Sequence, residues 1–349
     1  MTAPWWVSPR EANLLITGRC NLRCRHCSVT SHGALSEDLP LSEWEKILDE
    51  LQRSKILKLT LTGGEPMARP DFTDFVRAVH KRPFRFAVNT NGTLITPGIV
   101  ETFKECSSRL NEFMISLDGP DSGTVDSLRG EGVFEKLVMG VKMLRMSKLP
   151  FGFYCTVTSL NIDRLAETTE FAISLGAEWI KFNDFVLAGP DLNREMIPGR
   201  KEISKAASAL EEYDRKVPGF LQGTILDMRG RAKDYLAGKV QENTGRAYIC
   251  GGGRWKIAVF PDGSVTPCDH LPGFVLGNIT GNSLQEILTG SKMDEFTGYL
   301  NRNRSENPEC AECKFLNYCT GGCPVESLSS GEGIGKDRLS CLKLALENL

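Results

Sequence analysis

Cys20, Cys24 and Cys27 fall within eight residues in the stretch "GRCNLRCRHC", spaced C-x3-C-x2-C with no fourth thiol beside them. Clustered thiols in a reducing compartment hold metal more often than they hold one another, and thiolates select zinc or iron-sulfur clusters. A structural zinc site is closed by four protein ligands, which here would recruit His26 or His32. Left at three, the same thiols would hold an iron-sulfur cube with one iron open to a small molecule, and the missing ligand is then a functional feature.

A second group follows. Of the twelve cysteines, seven lie near the C-terminus: Cys250, Cys268, Cys310, Cys313, Cys319, Cys323 and Cys341. The run from Cys310 to Cys323 reads C-x2-C-x5-C-x3-C and ends in Cys323-Pro324, an ending shared with ferredoxin runs. That favours iron over a pair of zinc ribbons. Cys106 and Cys155 stand alone and read as small buried hydrophobes.

Positioning such groups takes a scaffold. "NLLITGRC", "ILKLTLTGG", "FRFAVNTNG", "NEFMISLDG", "FGFYCTVTSLN" and "EWIKFNDFVLAG" read as six strands. Between them the pattern predicts helices around 41–53, 71–81, 97–106, 133–147 and 163–175. Ser42 and Glu45 are placed as a capping box on the first, with Asn161 or Asp163 capping the last. Repeated β-α units give a parallel sheet with right-handed crossovers. Six units are too few for an eight-stranded closed barrel, so the expected fold is α/β: a partial, TIM-like (β/α)6 barrel with a small cysteine-rich domain after it. Polar, glycine-rich sequence gathers at the strands' C-terminal ends, where such barrels place their chemistry.

The first cysteine motif followed by "GGEP" (63–66) resembles the radical S-adenosylmethionine superfamily. The resemblance implies that Cys20, Cys24 and Cys27 hold a [4Fe-4S] cluster whose open iron chelates S-adenosylmethionine, and that one electron cleaves the sulfonium to a 5'-deoxyadenosyl radical. It further implies that Gly63, Gly64 and Glu65 receive the methionine amino group. Asn89, Ser116 and Asp118 would contact the ribose and methionine portions, Arg129 the carboxylate, and His26 would pack near the adenine. Strand-end Asn, Ser and Asp also cap turns, which is the plainer reading of those three.

The C-terminal pattern resembles the SPASM extension of the same superfamily, which carries two auxiliary clusters and brings the total to three [4Fe-4S] clusters. By that resemblance Cys310, Cys313, Cys319 and Cys341 hold the distal cluster. Cys250, Cys268 and Cys323 hold the proximal one, a ligand short, because the stretch "GGGRWKI" (251–257) lacks the extra cysteine of some relatives. Asp269, directly after Cys268, resembles the base of sulfatase maturases; ordering its own turn is the alternative. The implied organisation is a radical domain over 10–190, a helical bridge over 191–245 and a SPASM domain over 246–349.

Enzymes of this kind commonly modify peptides, so the expected function is ribosomal-peptide maturation, with an electron donor such as flavodoxin or ferredoxin. The 19 residues before Cys20 are too few for a leader-recognition domain, which implies a separate recognition protein or direct binding of the peptide by the barrel. A formylglycine-forming sulfatase maturase and a small-molecule radical dehydrogenase or epimerase are the alternatives; a plain electron carrier would need no "GGEP". The formal net charge of -2 argues against a nucleic-acid partner. No signal-peptide pattern and no run of ~20 apolar residues is present, so the expected location is cytoplasmic, away from the membrane.

Overall fold

The computed structural model describes residues 9–27, 37–185, 194–239, 250–319 and 321–330. Six strands, β1 (Glu11–Leu15), β2 (Lys58–Thr62), β3 (Arg85–Thr90), β4 (Leu110–Ser116), β5 (Phe151–Val157) and β6 (Ile180–Asp184), pair in parallel and in chain order. Helices cross between them: α1 (Leu41–Arg53), α2 (Phe72–His80), α3 (Pro97–Glu105), α4 (Ser122–Arg129), α5 (Val133–Met146) and α6 (Leu165–Leu175). This is the partial barrel that the β-α alternation predicts.

The two faces of the sheet differ, and the difference makes the site. Leu14, Leu61, Val88 and Phe113 stand in register across β1 to β4, all fully buried beneath the helices. There α1 lays down Trp44, Ile47, Leu48 and Leu51 at i, i+3, i+4 and i+7, and the Trp44 ring meets Phe75 of α2 edge-on at 5.5 Å. Burying side chains of this size contributes about 1.5–3 kcal/mol each. The other face carries Asn13, Thr60, Asn89, Glu112, Ser116 and Tyr154, every one only half-buried. A closed barrel fills its interior with branched apolar side chains. Polar, partly exposed residues here line an open lumen.

Several expectations are corrected. Helix α1 starts at Leu41 with Pro40 as its N-cap, so Ser42 lies inside the first turn and forms no capping box. Asn161 does not cap α6 either: a single 3-10 turn (Ile162–Arg164) intervenes, and Arg164 stands at the N-cap. The amide of Asn161 instead accepts from Thr158 N at 2.7 Å and donates to the carbonyls of Asp118 and Thr156, lacing two strand ends together. Helix α4 was not expected; Asp121 caps it by accepting from Thr124 N at 2.9 Å.

The bridge is not wholly helical. Between α7 (Arg200–Lys216) and α8 (Thr224–Leu236) runs β7 (Leu221–Gly223), which adds in parallel to β6. At the opposite edge the C-terminal segment returns to the barrel. Strand β8 (Lys256–Val259) pairs in parallel with β1, then β9 (Ser264–Thr266) and β10 (Gly277–Asn278) continue antiparallel, giving the ten-stranded order β10-β9-β8-β1-β2-β3-β4-β5-β6-β7. No helix among the described residues is long and apolar enough to cross a membrane.

Candidate functional site

The first three cysteines lie in the loop that leaves the C-terminal end of β1, and the strand ends around it hold that loop by backbone contacts. Gly64 N donates to Thr17 O at 2.9 Å and Glu65 N to Arg19 O at 2.8 Å. A Cβ on Gly64 would stand 2.3 Å from Arg19 O and 3.0 Å from the Cys20 Cβ, so this approach requires glycine. Asn91 Nδ2 donates to Asn21 Oδ1 at 3.0 Å, and Arg25 N to Leu128 O at 2.9 Å, which fastens the loop to β3 and α4 as well.

Glu65 is fully buried and turned toward β3: it accepts from Thr90 Oγ1 at 2.7 Å, Asn91 N at 2.7 Å and Met67 N at 3.2 Å. Burial pushes its carboxyl up to about 7 against the pull of these donors. The side chain thus ties two strand ends, leaving the backbone of 63–65 to face the loop.

Beneath the loop sits a buried charged group. Asp118 Oδ2 lies 2.6 Å from Arg129 Nε and 3.2 Å from His26 Nε2, while its Oδ1 accepts from Thr156 N at 2.9 Å. Burial alone would raise the pKa of Asp118; Arg129 first and His26 next hold it well below the usual carboxylate range. Arg129 also reaches Cys24, with Nη1 3.8 Å from Sγ. Burial pushes the Cys24 thiol up to about 11, Arg129 pulling the other way. Coordination to a metal deprotonates such a thiol outright. His26 Nδ1 is buried with no hydrogen-bond partner among the described residues, an atom that a bound group would satisfy.

Asn89 and Ser116 complete the rim, half-buried at the ends of β3 and β4, with Asn89 Nδ2 3.5 Å from Thr62 Oγ1. The rim therefore gathers Gly63, Gly64, Glu65, Asn89, Ser116, Asp118, Arg129 and the three cysteines on one end of the sheet. Asn21, Asn91 and Asn161 were missed by sequence reasoning; the clue available was that "CN", "NTNG" and "TSLN" all sit at strand ends. The donor set fits an iron-sulfur cluster in kind: Cys20, Cys24 and Cys27 are soft thiols outside any disulfide, in one tightly held loop. Among the described residues, no three His, Cys, Asp or Glu side chains converge as on a single ion.

Cys250 and Cys268 lie at the opposite end of the barrel. Glu11, the first residue of β1, is in register with Lys256, so the turn at 250–256 and the Cys268 segment meet the N-terminal ends of the strands. Cys268 is buried, its Sγ 3.2 Å from Asp269 Oδ1. Burial raises the carboxyl of the half-buried Asp269, but His270 and Lys256 more than offset it and hold it below the usual range. Burial also works against the charge on Lys256, yet Cys268, Asp269, Cys250 and Cys323 together keep its pKa above the ordinary lysine value. Burial, with Glu112 next, raises the phenol of Tyr154 on the lumen face of β5 above its ordinary value.

Cys310, Cys313 and Cys319 follow one another on tight turns: Cys313 N donates to Cys310 O at 3.0 Å and Leu316 N to Cys313 O at 2.9 Å. Helix α8 braces them through Arg231, which donates to Tyr318 O at 3.1 Å, and through Tyr235 packed edge-on against Phe315 and Tyr318. Cys341 lies outside the described residues.

Residues 14–172 match the Radical SAM superfamily, and residues 250–314 match the SPASM iron-sulfur cluster-binding domain. The chain is 29% identical to an AdoMet-dependent heme synthase of Methanosarcina barkeri, over 90% of this chain and 91% of that one. It is 26% identical to a PqqA peptide cyclase of Ruegeria pomeroyi, over 94% of this chain and 86% of the relative. Its fold is like that of Streptococcus suis SuiB, solved bound to precursor peptide SuiA, with a TM-score of 0.77 at 18% identity, covering 96% of this chain and 76% of SuiB.

Proposed function

We propose that this chain, a radical S-adenosylmethionine enzyme with a C-terminal iron-sulfur cluster-binding domain, abstracts hydrogen from a residue of a peptide, as a ribosomal-peptide maturase does. Held by Cys20, Cys24 and Cys27, a [4Fe-4S] cluster would supply the electron that cleaves S-adenosylmethionine to methionine and a 5'-deoxyadenosyl radical. The backbone of Gly63, Gly64 and Glu65 holds the amino group, Asn89 and Ser116 the ribose side, and Arg129 the carboxylate. Asp118, with both oxygens engaged, orients Arg129 from behind.

In this reading, residues 10–190 form the radical domain, 191–245 the bridge and 246–349 the auxiliary-cluster domain. Cys310, Cys313, Cys319 and Cys341 hold the distal auxiliary cluster; Cys250, Cys268 and Cys323 hold the proximal one. Asp269 removes or orients a proton of the substrate at the floor of the lumen.

The observation that carries the reading is the row of polar, half-exposed residues on the sheet face that has Cys20, Cys24 and Cys27 at its rim, with the Cys250 turn at the opposite strand ends. A substrate segment lying along it would have the radical at one end and an electron acceptor at the other. Similarity to a peptide cyclase supports a peptide as that substrate. Similarity to a heme synthase over nine-tenths of the chain favours a second reading, oxidation of a small molecule by the same machinery.

The two are separated by anaerobic turnover with the product of a short peptide gene adjoining this one. Release of 5'-deoxyadenosine with a matching mass change on the peptide supports maturation. Release without any change on the peptide moves the assignment to a small molecule.

A further inference from the structure

The residues just ahead of the rim thiols serve two parts of the site, and a side chain from beyond the thiols fixes them. Thr17, Gly18 and Arg19 lead from β1 to Cys20, and the carbonyls of Thr17 and Arg19 hold the backbone of Gly64 and Glu65. After Cys27 the chain comes back to the same place at Asp38. Its Oδ2 accepts from Thr17 Oγ1 at 2.6 Å and its Oδ1 from Gly18 N at 2.9 Å. The Thr17 hydroxyl, its proton committed to Asp38, accepts in turn from Arg19 N at 3.1 Å. One carboxylate therefore orders all three residues.

The Arg19 guanidinium lies 3.7 Å from the same carboxylate, but that side chain is exposed and such a pair contributes little. The hydrogen bonds matter more, because Thr17 is fully buried and water competes poorly there. Asp38 is itself anchored through its neighbour. Leu39 N donates to Pro261 O at 3.0 Å, in the turn between β8 and β9. The buried Arg69 guanidinium donates to Leu39 O at 3.0 Å and to Ile16 O at 2.7 Å, joining the residue after Asp38 to the residue before Thr17. The thiol loop thus has a closed neck, residues 16–19 on one side and 38–39 on the other, tied to the hairpin of the C-terminal segment.

We propose that Asp38 is a positioning residue of the radical site: by closing this neck it sets Cys20 and the thiols that follow against the backbone of 63–65, where the amino group of S-adenosylmethionine is held. It touches neither the thiols nor the cofactor and acts through Thr17, Gly18 and Arg19. The proposal rests on the roles given above to Cys20, Cys24, Cys27 and residues 63–65. Groups that stand behind metal ligands in this way are worth about 10–100-fold in affinity or activity.

The test compares the full wild-type chain with Asp38→Ala, Asp38→Asn, Thr17→Val and the double variant Asp38→Ala, Thr17→Val. In the chain without metal, Asp38→Ala should speed amide hydrogen exchange at Gly18 and Arg19 at least tenfold. Reconstituted anaerobically and reduced, the same variant should need about 10–100 times more S-adenosylmethionine to change the electron paramagnetic resonance of its cluster by half. Asp38→Asn, whose amide oxygen still accepts from Gly18 N, should recover most of that loss. Thr17→Val breaks the contact from the other side and should give a similar rise, with the double variant no worse than either single one. It also carries the comparison if Asp38→Ala does not fold. Wild-type affinity in the single variants, or effects that multiply in the double variant, overturns the role of Asp38. A wild-type signal that does not respond to S-adenosylmethionine overturns the reading of the rim itself, and is told apart because it needs no variant.

Discussion

Arg129 and Asp118 form an ion pair of 2.6 Å in which both partners are buried, and the same guanidinium extends to within 3.8 Å of the Cys24 sulfur. The pair thus joins the end of β4 to the cysteine loop through the last residue of α4. Removing one member of such a pair leaves a buried charge uncompensated, at about 3–5 kcal/mol, whereas removing both costs less. Arg129→Met alone should therefore lower the thermal unfolding midpoint by several degrees, and Asp118→Asn combined with Arg129→Met should regain part of that loss. Equal midpoints for the two variants would show that the charges do not depend on one another.

Glu65 gives the chain a pH dependence of known sign. Its folded pKa, about 7, is above the ordinary value of 4.5, so the folded state keeps a proton that the unfolded chain releases. This contribution is fully present below about pH 4.5 and is lost as pH rises through 7, on the order of a few kcal/mol across that window. Glu65→Gln, although it weakens the contact with Asn91, should flatten the fall in unfolding midpoint between pH 5 and 7. A difference between wild type and variant that stays constant over that range would contradict the assignment.

Gly64→Ala tests the rim in another way. The added Cβ would collide with Arg19 O and crowd the Cys20 side chain, displacing the loop that carries all three thiols. The expected outcome is loss of about 4 iron atoms per chain on reconstitution, with cleavage of S-adenosylmethionine lowered at least a hundredfold, while the C-terminal clusters load normally. Iron content and cleavage rate at the wild-type level would show that the loop tolerates the methyl group.

At the floor, Asp269→Asn should retain all iron and the uncoupled cleavage of S-adenosylmethionine yet slow formation of modified substrate about 100-fold, the scale of a lost general base. Unchanged product formation would leave Asp269 as the residue that orders its own turn.

What could be read in the sequence and what could not divide along a physical line. All six barrel strands and five of the barrel helices announce themselves through local alternation and period, because each buries one face against a neighbour already close in sequence. Helix α4 carries a cap at Asp121 and a stop at Gly130 but is only eight residues long, too short for periodicity to register. The return of β8 to the edge of β1 has no local signal at all, since it joins residues 245 apart through pairing alone. The same holds inside the site. Cysteine spacing is local and legible, whereas the turn of Glu65 toward Thr90 and the lacing by Asn161 arise only when distant strand ends are brought together.

The central claim, that the first three cysteines arm a radical S-adenosylmethionine site, is tested most directly by one comparison. Wild type and the Cys20→Ala, Cys24→Ala, Cys27→Ala variant are reconstituted anaerobically, reduced with dithionite and given S-adenosylmethionine, and 5'-deoxyadenosine is measured alongside iron. Wild type should carry about 12 iron atoms and release 5'-deoxyadenosine, and the variant about 8 and none. Stoichiometric zinc without iron in the wild type, or equal 5'-deoxyadenosine from both proteins, would contradict the account.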